Sequence, residues 1–239
     1  MANDDKKSAR VKFITPVGVA IYPKLVEPDT KFNAEGTFSV RLRLSADDAA
    51  PLMAIMDKVA DDAYAEAKAK LSEKPSDPKK IAAQKKQLEK LNRNDPYTMD
   101  VDDNGEETGD VIFNFKMNHV VKKKDGTSKK IWPFLFDAAG KQIKGKPQIY
   151  SGSELSVAGT ISGYYVSGTG ATGAAARLSA VQIKTLVSGG DAASFGFGKF
   201  DDGYISSNDD DDSDSFASRS MSEGVDGEGI SSDGSDEDF

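Results

Sequence analysis

The chain has 239 residues, no cysteine, a single histidine and a formal net charge of −8. The length allows one domain of about 200 residues or two small ones, and the lack of cysteine excludes disulfides and thiolate metal sites. No apolar run reaches the roughly 18 residues of a membrane span, and no hydrophobic segment follows the charged N-terminus, so we expect a soluble protein of a reducing cytoplasm.

The net charge is the average of two segments of opposite sign. Residues 201–239 contain 14 acidic residues and one base, Arg219, for a net charge of −13, so residues 1–200 carry +5. The segment ends Asp236-Glu237-Asp238-Phe239, and it cannot bury enough apolar surface to fold alone. A basic body joined to an acidic tail predicts a protein that binds polyanions and whose tail competes with them for the basic surface. The terminal Phe239 carboxylate and the acids before it predict a partner-binding end.

The N-terminal half begins with Val11 to Val26, an apolar stretch broken by prolines that predicts an irregular or edge strand. Thr37 to Leu44 alternates apolar and polar residues, which predicts a half-buried strand with a basic outer face. Ser45 then caps a helix whose apolar stripe extends to Ala67. A second helix, from Pro78 to about Asn92, carries five lysines and has Ile81, Gln84, Leu88 and Leu91 on one side.

The C-terminal half returns to a period of two. Strands are predicted at Val111–Met117, with Phe113 and Phe115 in the core, and at Ile131–Phe136, Glu154–Val166 and Arg177–Leu186. Five or so strands with helices inserted early favour a mainly β (α+β) fold, a five-stranded barrel of the oligonucleotide-binding (OB) type with inserted helices at about 46–92. We expect this domain to occupy residues 1–188, followed by a disordered linker and acidic tail over 189–239.

The residue inventory argues against an enzyme, and we predict no catalytic residue, no metal and no cofactor. One histidine and no cysteine leave no known catalytic motif. The acidic cluster from Asp100 to Glu107 resembles a calcium loop but lacks its closing glutamate, so a solvated acidic hairpin is favoured. We expect His119 to be a hydrogen-bonded surface residue.

A nucleic-acid signal lies between Lys116 and Lys146, where nine lysines face two acids. Lysines neutralise phosphates and release counterions, and aromatic faces stack on unpaired bases. The stretch also holds Trp132, Phe134 and Phe136. These residues alternate with other apolar residues, so the pattern leaves open which face of the strand points toward the core. Tyr164 and Tyr165 are adjacent, so they should point to opposite faces with one outside. The aromatics of Gly189–Phe200 are predicted to dock on the body or on DNA.

These residues together indicate a known family. The strand Gly36–Leu42, Phe113-Asn114-Phe115-Lys116, the strand from Lys130 into Asp137–Lys141, Asp202-Gly203-Tyr204-Ile205 and the Asp-rich end with Phe239 resemble the single-stranded DNA-binding protein of T7-like phages over nearly the whole chain. The family has a DNA-contacting base just before the glycine-aromatic strand, where this sequence has Glu35. Arg41 or Arg43 is expected to substitute for it.

The resemblance implies an OB-fold that binds single-stranded DNA without strong sequence choice and acts in replication, recombination and repair, in the cytoplasm of the infected bacterial host. It also implies a tail that contacts the phage DNA polymerase and helicase–primase, competes with DNA and can form a homodimer. The predicted DNA-binding residues are Arg41, Arg43, Lys116, Lys122, Lys123, Lys124, Lys129, Lys130, Trp132, Phe134, Tyr164 and Tyr165. The predicted partner-binding residues are Asp236, Glu237, Asp238 and Phe239.

Two alternatives to single-strand binding remain open from the sequence. The acidic tail could be the active part of a protein-interaction or chaperone-like protein. The lysine-rich helix from Lys79 to Lys90 could contact phosphates of duplex DNA or of RNA, which would make the chain a binder that also accepts these nucleic acids.

Overall fold

The protein is described by a computed structural model that covers residues 10–73, 78–123 and 125–187. Lys124, the Gly189–Phe200 segment and the acidic tail with Asp236, Glu237, Asp238 and Phe239 lie outside the described residues. The predicted division at residue 188 therefore stays a prediction.

The described residues form mostly strands, with two helices in the first half of the chain. In chain order the elements are β1 (Val11–Ile14), β2 (Gly18–Asp29), β3 (Thr37–Leu44), α1 (Ala46–Ser72), α2 (Pro78–Lys90), β4 (Asn92–Arg93), β5 (Thr98–Val101), β6 (Glu107–Asn118), β7 (Val120–Lys122), β8 (Ser128–Lys130), β9 (Phe134–Phe136), β10 (Glu154–Val166) and β11 (Ala171–Thr185).

Five strands close into a ring, in the order β10-β2-β3-β6-β11 and back to β10. Neighbours in the ring are antiparallel except for β6 and β11, which run parallel. Strand β1 attaches to β10, β5 to β6, and β4 and β9 to β11, while β7 and β8 form a separate hairpin. The ring with two helices inserted between β3 and β6 is an OB-like α+β fold, which confirms the predicted fold class.

The core fills the inside of the ring because the strands alternate as predicted. Phe38, Val40 and Leu42 of β3 and Phe113 and Phe115 of β6 are fully buried. Leu155, Val157 and Ile161 of β10 complete the layer. The side chains that alternate with these buried residues on β3 and β6 point to the outer face of the ring. Most of them are polar.

Helix α1 covers one end of the core with Leu52, Met56 and Ala60. Its predicted cap is confirmed, since the Asp48 amide donates to the Ser45 hydroxyl at 3.3 Å. Helix α2 packs on α1. Of the residues predicted to share one side of α2, Ile81 is 50% exposed and Leu88 37% exposed. No helix among the described residues is long and apolar enough to cross a membrane.

Arg93 ties α1 to the segment that follows α2. Its guanidinium lies 2.6 Å from carboxylate oxygens of both Asp57 and Asp61 on α1, and 3.1 Å from Asp95. The hydrogen bond to Asp57 raises the pKa of Arg93. Burial, together with a 2.8 Å hydrogen bond to Asp57, raises the pKa of Tyr97 to about 12. This cluster positions the polypeptide that leads into β5 and β6.

Candidate nucleic-acid interface

The predicted DNA-binding residues divide between two surfaces of the ring. We call the first the aromatic groove, about 920 Å³ in volume. Its floor is made by Leu25, Val26, Met117, Leu135 and Ile143, and its other side chains include Lys129, Lys130, Lys144, Lys146, Trp132 and Phe134. No carboxylate is among the described residues that line it. The groove therefore combines an apolar floor with positive charge.

Strand β9 decides which aromatic rings are free. It pairs with β11 in parallel, with Leu135 beside Val181, and Leu135 is buried. Phe134 must then point away from the core, and it is 57% exposed. Trp132, which directly precedes the buried Pro133, is 52% exposed. Two large aromatic surfaces thus remain in contact with solvent beside the lysines.

Trp132 rests on His119, the one histidine of the chain. The two ring centroids are 4.7 Å apart in an edge-on arrangement, and His119 also contacts the ring of Phe38 at 5.5 Å. Its Nδ1 lies 3.1 Å from the Ile131 carbonyl oxygen, to which it can donate a hydrogen bond. The prediction of a surface residue is wrong, because His119 is only 8% exposed. His119 is buried just after the end of β6, and its ring packs against the ring of Trp132.

The second surface, which we call the outer-face cleft, lies across β3, β6 and β11. Its lining includes two basic residues, one acid and a tyrosine: Arg41, Lys116, Asp95 and Tyr164, together with Asn114 and Ala175. The strand register places Lys116 between Ser39 of β3 and Arg177 of β11. Arg177 is exposed between buried Ala176 and Leu178. Sequence reasoning missed this arginine, although the apolar alternation around it could have revealed it.

Arg43 and Lys122 are less available than their neighbours. Arg43 lies 3.3 Å from Asp100 and 3.8 Å from Asp110. Lys122 lies 3.0 Å from Glu35, the acid at the position where a base is expected. All three ion pairs are partly exposed, so they reduce the local positive charge without fixing the side chains in place.

The two surfaces meet at a shallow depression near the β7–β8 hairpin. Asn118, Lys122, Ile131 and Arg177 line this depression. Ile131 also lines the aromatic groove, and Asn118 follows Lys116 on the outer face of β6. Lys123, Lys129 and Lys130 of the hairpin region are exposed. A strand of nucleic acid that passes from one surface to the other meets two acidic residues, Glu35 at the depression and Asp95 in the outer-face cleft.

The two adjacent tyrosines are both half-buried. Tyr164 lines the outer-face cleft, and its hydroxyl accepts a hydrogen bond from Asn94 Nδ2 at 3.2 Å. Tyr165 lines a separate groove beside α1, with Val59 and Ala63. Its buried hydroxyl has no hydrogen-bond partner in the part of the chain that the structure describes. Of the two tyrosines, only Tyr164 lines the outer-face cleft with Arg41 and Lys116.

The acidic cluster forms a turn with internal hydrogen bonds. Asp102 accepts from the amides of Asn104 and Glu106, each at 2.9 Å. The Glu106 amide contributes most to lowering the pKa of Asp102. Within residues 10–73, 78–123 and 125–187, no group of three or more His, Asp or Glu side chains is arranged to hold a metal ion.

Comparison with known proteins agrees with this fold. Among solved structures, gp2.5, a single-stranded DNA-binding protein encoded by bacteriophage T7, aligns at 22% identity with a TM-score of 0.56, over 83% of this chain and all of that one. The bacteriophage Enc34 single-stranded DNA-binding protein in complex with ssDNA aligns at 14% identity, with a TM-score of 0.42, over 73% of this chain and 86% of that one.

Sequence comparison extends these structural matches. A search of curated protein sequences finds no match. A family model described as the single-stranded DNA-binding protein of bacteriophage T7 matches residues 17–186, which is well over half of the chain. The chain therefore belongs to the family of the bacteriophage T7 single-stranded DNA-binding protein.

Proposed function

We propose that this chain binds single-stranded DNA, with unpaired bases stacked on Trp132 and Phe134 and phosphates held by the surrounding lysines. The observation that carries the proposal is the aromatic groove, where two half-exposed rings lie among four lysines and no carboxylate. Base–aromatic stacking contributes about 1–3 kcal/mol per base. The lysines add affinity that does not depend on sequence, because they release counterions from the phosphates.

The outer-face cleft extends the binding site in this proposal. Arg41, Lys116 and Arg177 lie on one face of three neighbouring strands, where they would follow the DNA backbone. Lys122 and Lys123 would continue the path toward the aromatic groove, and Tyr164 would offer one further ring. Arg43 contributes less, because Asp100 and Asp110 already neutralise part of its charge.

The apolar floor of the aromatic groove favours single strands over duplexes. In a duplex, the base faces are stacked on one another and cannot reach Trp132 or Phe134. An unpaired base can cover these rings and the apolar floor below them. Competition between a labelled single strand and unlabelled duplex or RNA measures this preference directly. Equal competition by duplex DNA would instead indicate a protein that binds nucleic acids without preferring single strands.

Titration of Trp132 fluorescence with ssDNA tests the proposal, because Trp132 is the only tryptophan. We expect quenching on binding, and a log–log salt slope of about 0.7 per phosphate contact. Changing both Lys129 and Lys130 to alanine should lower that slope by about 1.4. Lys184→Ala is the matched control, because Lys184 is paired with Glu154 at 3.2 Å and lines neither surface.

Unchanged Trp132 fluorescence together with an unchanged salt slope would contradict this site. No binding of any oligonucleotide would favour the protein-interaction alternative.

We further propose that the protein acts in phage DNA replication, recombination and repair, in the cytoplasm of the infected bacterial host. Family membership supports this role. In this proposal the acidic end, Asp236 to Phe239, recruits the phage DNA polymerase and helicase–primase and allows a homodimer. Its opposite charge to residues 1–200 also makes it a competitor of DNA for the basic surfaces.

A further inference from the structure

The turn between β2 and β3 presents an aromatic ring to solvent. Phe32 is 89% exposed, more than any other large hydrophobic side chain among the described residues. A phenylalanine in this position gains nothing from burial in the chain itself. The exposed ring therefore suits contact with a molecule outside the chain.

Internal hydrogen bonds hold the turn in one shape. The Lys31 amide donates to the Asp29 carboxylate at 2.8 Å, and the Glu35 amide donates to the Asn33 side chain at 3.1 Å. Asn33 Nδ2 donates to the Thr37 hydroxyl at 3.1 Å. Phe32 is thus displayed from an ordered turn, so little conformational entropy is lost if a ligand stacks on it.

The neighbouring lysine covers one face of the ring. Lys31 Nζ lies 5.3 Å from the centroid of Phe32, within the range of a cation–π contact. The other face stays free for a flat, electron-rich group. The Lys31 ammonium lies on the covered face of the ring, near enough to neutralise a phosphate next to the stacked group. The pair therefore offers stacking and phosphate neutralisation at adjacent positions.

The turn is joined to the base of the aromatic groove. The His119 amide donates to the Gly36 carbonyl at 3.0 Å, and the His119 ring supports Trp132 at 4.7 Å. Glu35 pairs with Lys122 at 3.0 Å, beside the depression that connects the two DNA surfaces. The turn is therefore connected to the region where the proposed path of the strand enters the groove.

We propose that Phe32 is a further base-stacking position of the single-stranded DNA site, and that Lys31 contacts the adjacent phosphate. The proposal rests on the proposed function and lengthens its binding path beyond Trp132. It also accounts for the acid at position 35, because the positive charge of the turn is supplied by Lys31 while Lys122 compensates Glu35.

Phe32→Ala tests the stacking role by affinity. We expect binding to an oligothymidine to weaken about five- to tenfold, near the lower end of what loss of one base stack produces. Lys31→Ala should reduce the salt slope by about 0.7. Tyr22→Ala is the matched control, because Tyr22 is 74% exposed on β2 but its amide is hydrogen-bonded to Ser151, away from His119 and Trp132.

A moved tryptophan reports on the turn directly. The double variant Phe32→Trp with Trp132→Phe places the only tryptophan at the turn, and we expect ssDNA to quench it. Tyr22→Trp in the same Trp132→Phe background should not be quenched. Circular dichroism of each variant confirms that the fold is kept.

The outcomes separate this inference from the proposed function. Quenching of Trp132 in the unmodified protein, with no quenching at position 32 and unchanged affinity of Phe32→Ala, would overturn only the role of Phe32. Quenching at neither position would overturn both. A loss of self-association in Phe32→Ala, measured by light scattering at unchanged DNA affinity, would assign Phe32 to a protein contact instead and overturn the inference.

Discussion

At Gly159 the backbones of β10 and β11 come closer than any side chain would allow. A Cβ at this position would lie 1.9 Å from the Arg177 carbonyl oxygen and 3.1 Å from Phe13 Cε1. The register between the two strands shifts at the same point, between Ala158 and Gly159. Such an irregularity bends a strand, and β10 must bend to reach both β11 and β2 in the ring.

Gly159→Ala should therefore destabilise the fold. We expect a loss of about 3 kcal/mol in the free energy of unfolding, the upper end of typical overpacking costs, because backbone atoms must move. Urea unfolding followed by circular dichroism measures it. Gly168→Ala is the control, since a Cβ there meets nothing within 4 Å, and it should change stability by less than about 0.5 kcal/mol. Equal midpoints for the two variants would contradict the expectation.

Among the elements, α1 depends on a polar clamp as well as on its apolar stripe. Arg93 reaches carboxylates on two successive turns of the helix, Asp57 and Asp61. The planar guanidinium can engage both at once, whereas an ammonium is a single point of charge. The side chain of Arg93 is 27% exposed, so its ion pairs are screened less than pairs on the open surface.

Arg93→Ala should lower the free energy of unfolding by about 1–2 kcal/mol, since it leaves Asp57 and Asp61 uncompensated. Arg93→Lys should restore less than half of the loss. Lys70→Ala removes the exposed pair with Glu66 and is the control, with an expected loss of about 0.3–0.5 kcal/mol. Thermal unfolding of the three variants measures the order, and equal losses for Arg93→Ala and Lys70→Ala would refute the clamp.

For the whole molecule, the separation of charge matters more than the net value of −8. Residues 1–200 carry +5 and residues 201–239 carry −13. Opposite charges joined in one chain are at high effective concentration. In the proposed competition, the acidic residues of 201–239 would compete with DNA for the basic surfaces, most strongly where salt screens the charges least.

Deletion of the last 20 residues should tighten ssDNA binding, because it removes seven of the 14 acids of residues 201–239. The effect should be largest at low ionic strength and should shrink toward 1 M salt, where charges are screened beyond about 3 Å. Filter binding across a salt series measures both. As a control, replacing the same acids by asparagine and glutamine at full length should reproduce the change. An affinity unchanged at every salt concentration would rule out competition.

Where only one face of a strand is apolar, the sequence alternation was enough to predict which side chains face the core. Phe38, Val40, Phe113 and Phe115 were predicted to face the core for this reason, and they are buried. Around Trp132 both faces are apolar, so the pattern could not decide between them. Pairing of Leu135 with Val181 on a distant strand decided it. His119 was misplaced because its burial comes from Phe38 and Trp132, which are far apart in sequence.

By itself, the sequence determined the fold class, the charge separation and the lysine and aromatic composition of a DNA-binding surface, because these follow from local periodicity and from counting. Only the tertiary structure decided which of these side chains share a surface. It placed Lys129, Lys130, Trp132 and Phe134 in one groove and Arg41 with Lys116 in another, and it separated Tyr165 from both. These groupings depend on strand pairings between residues distant in the chain, which no local pattern encodes.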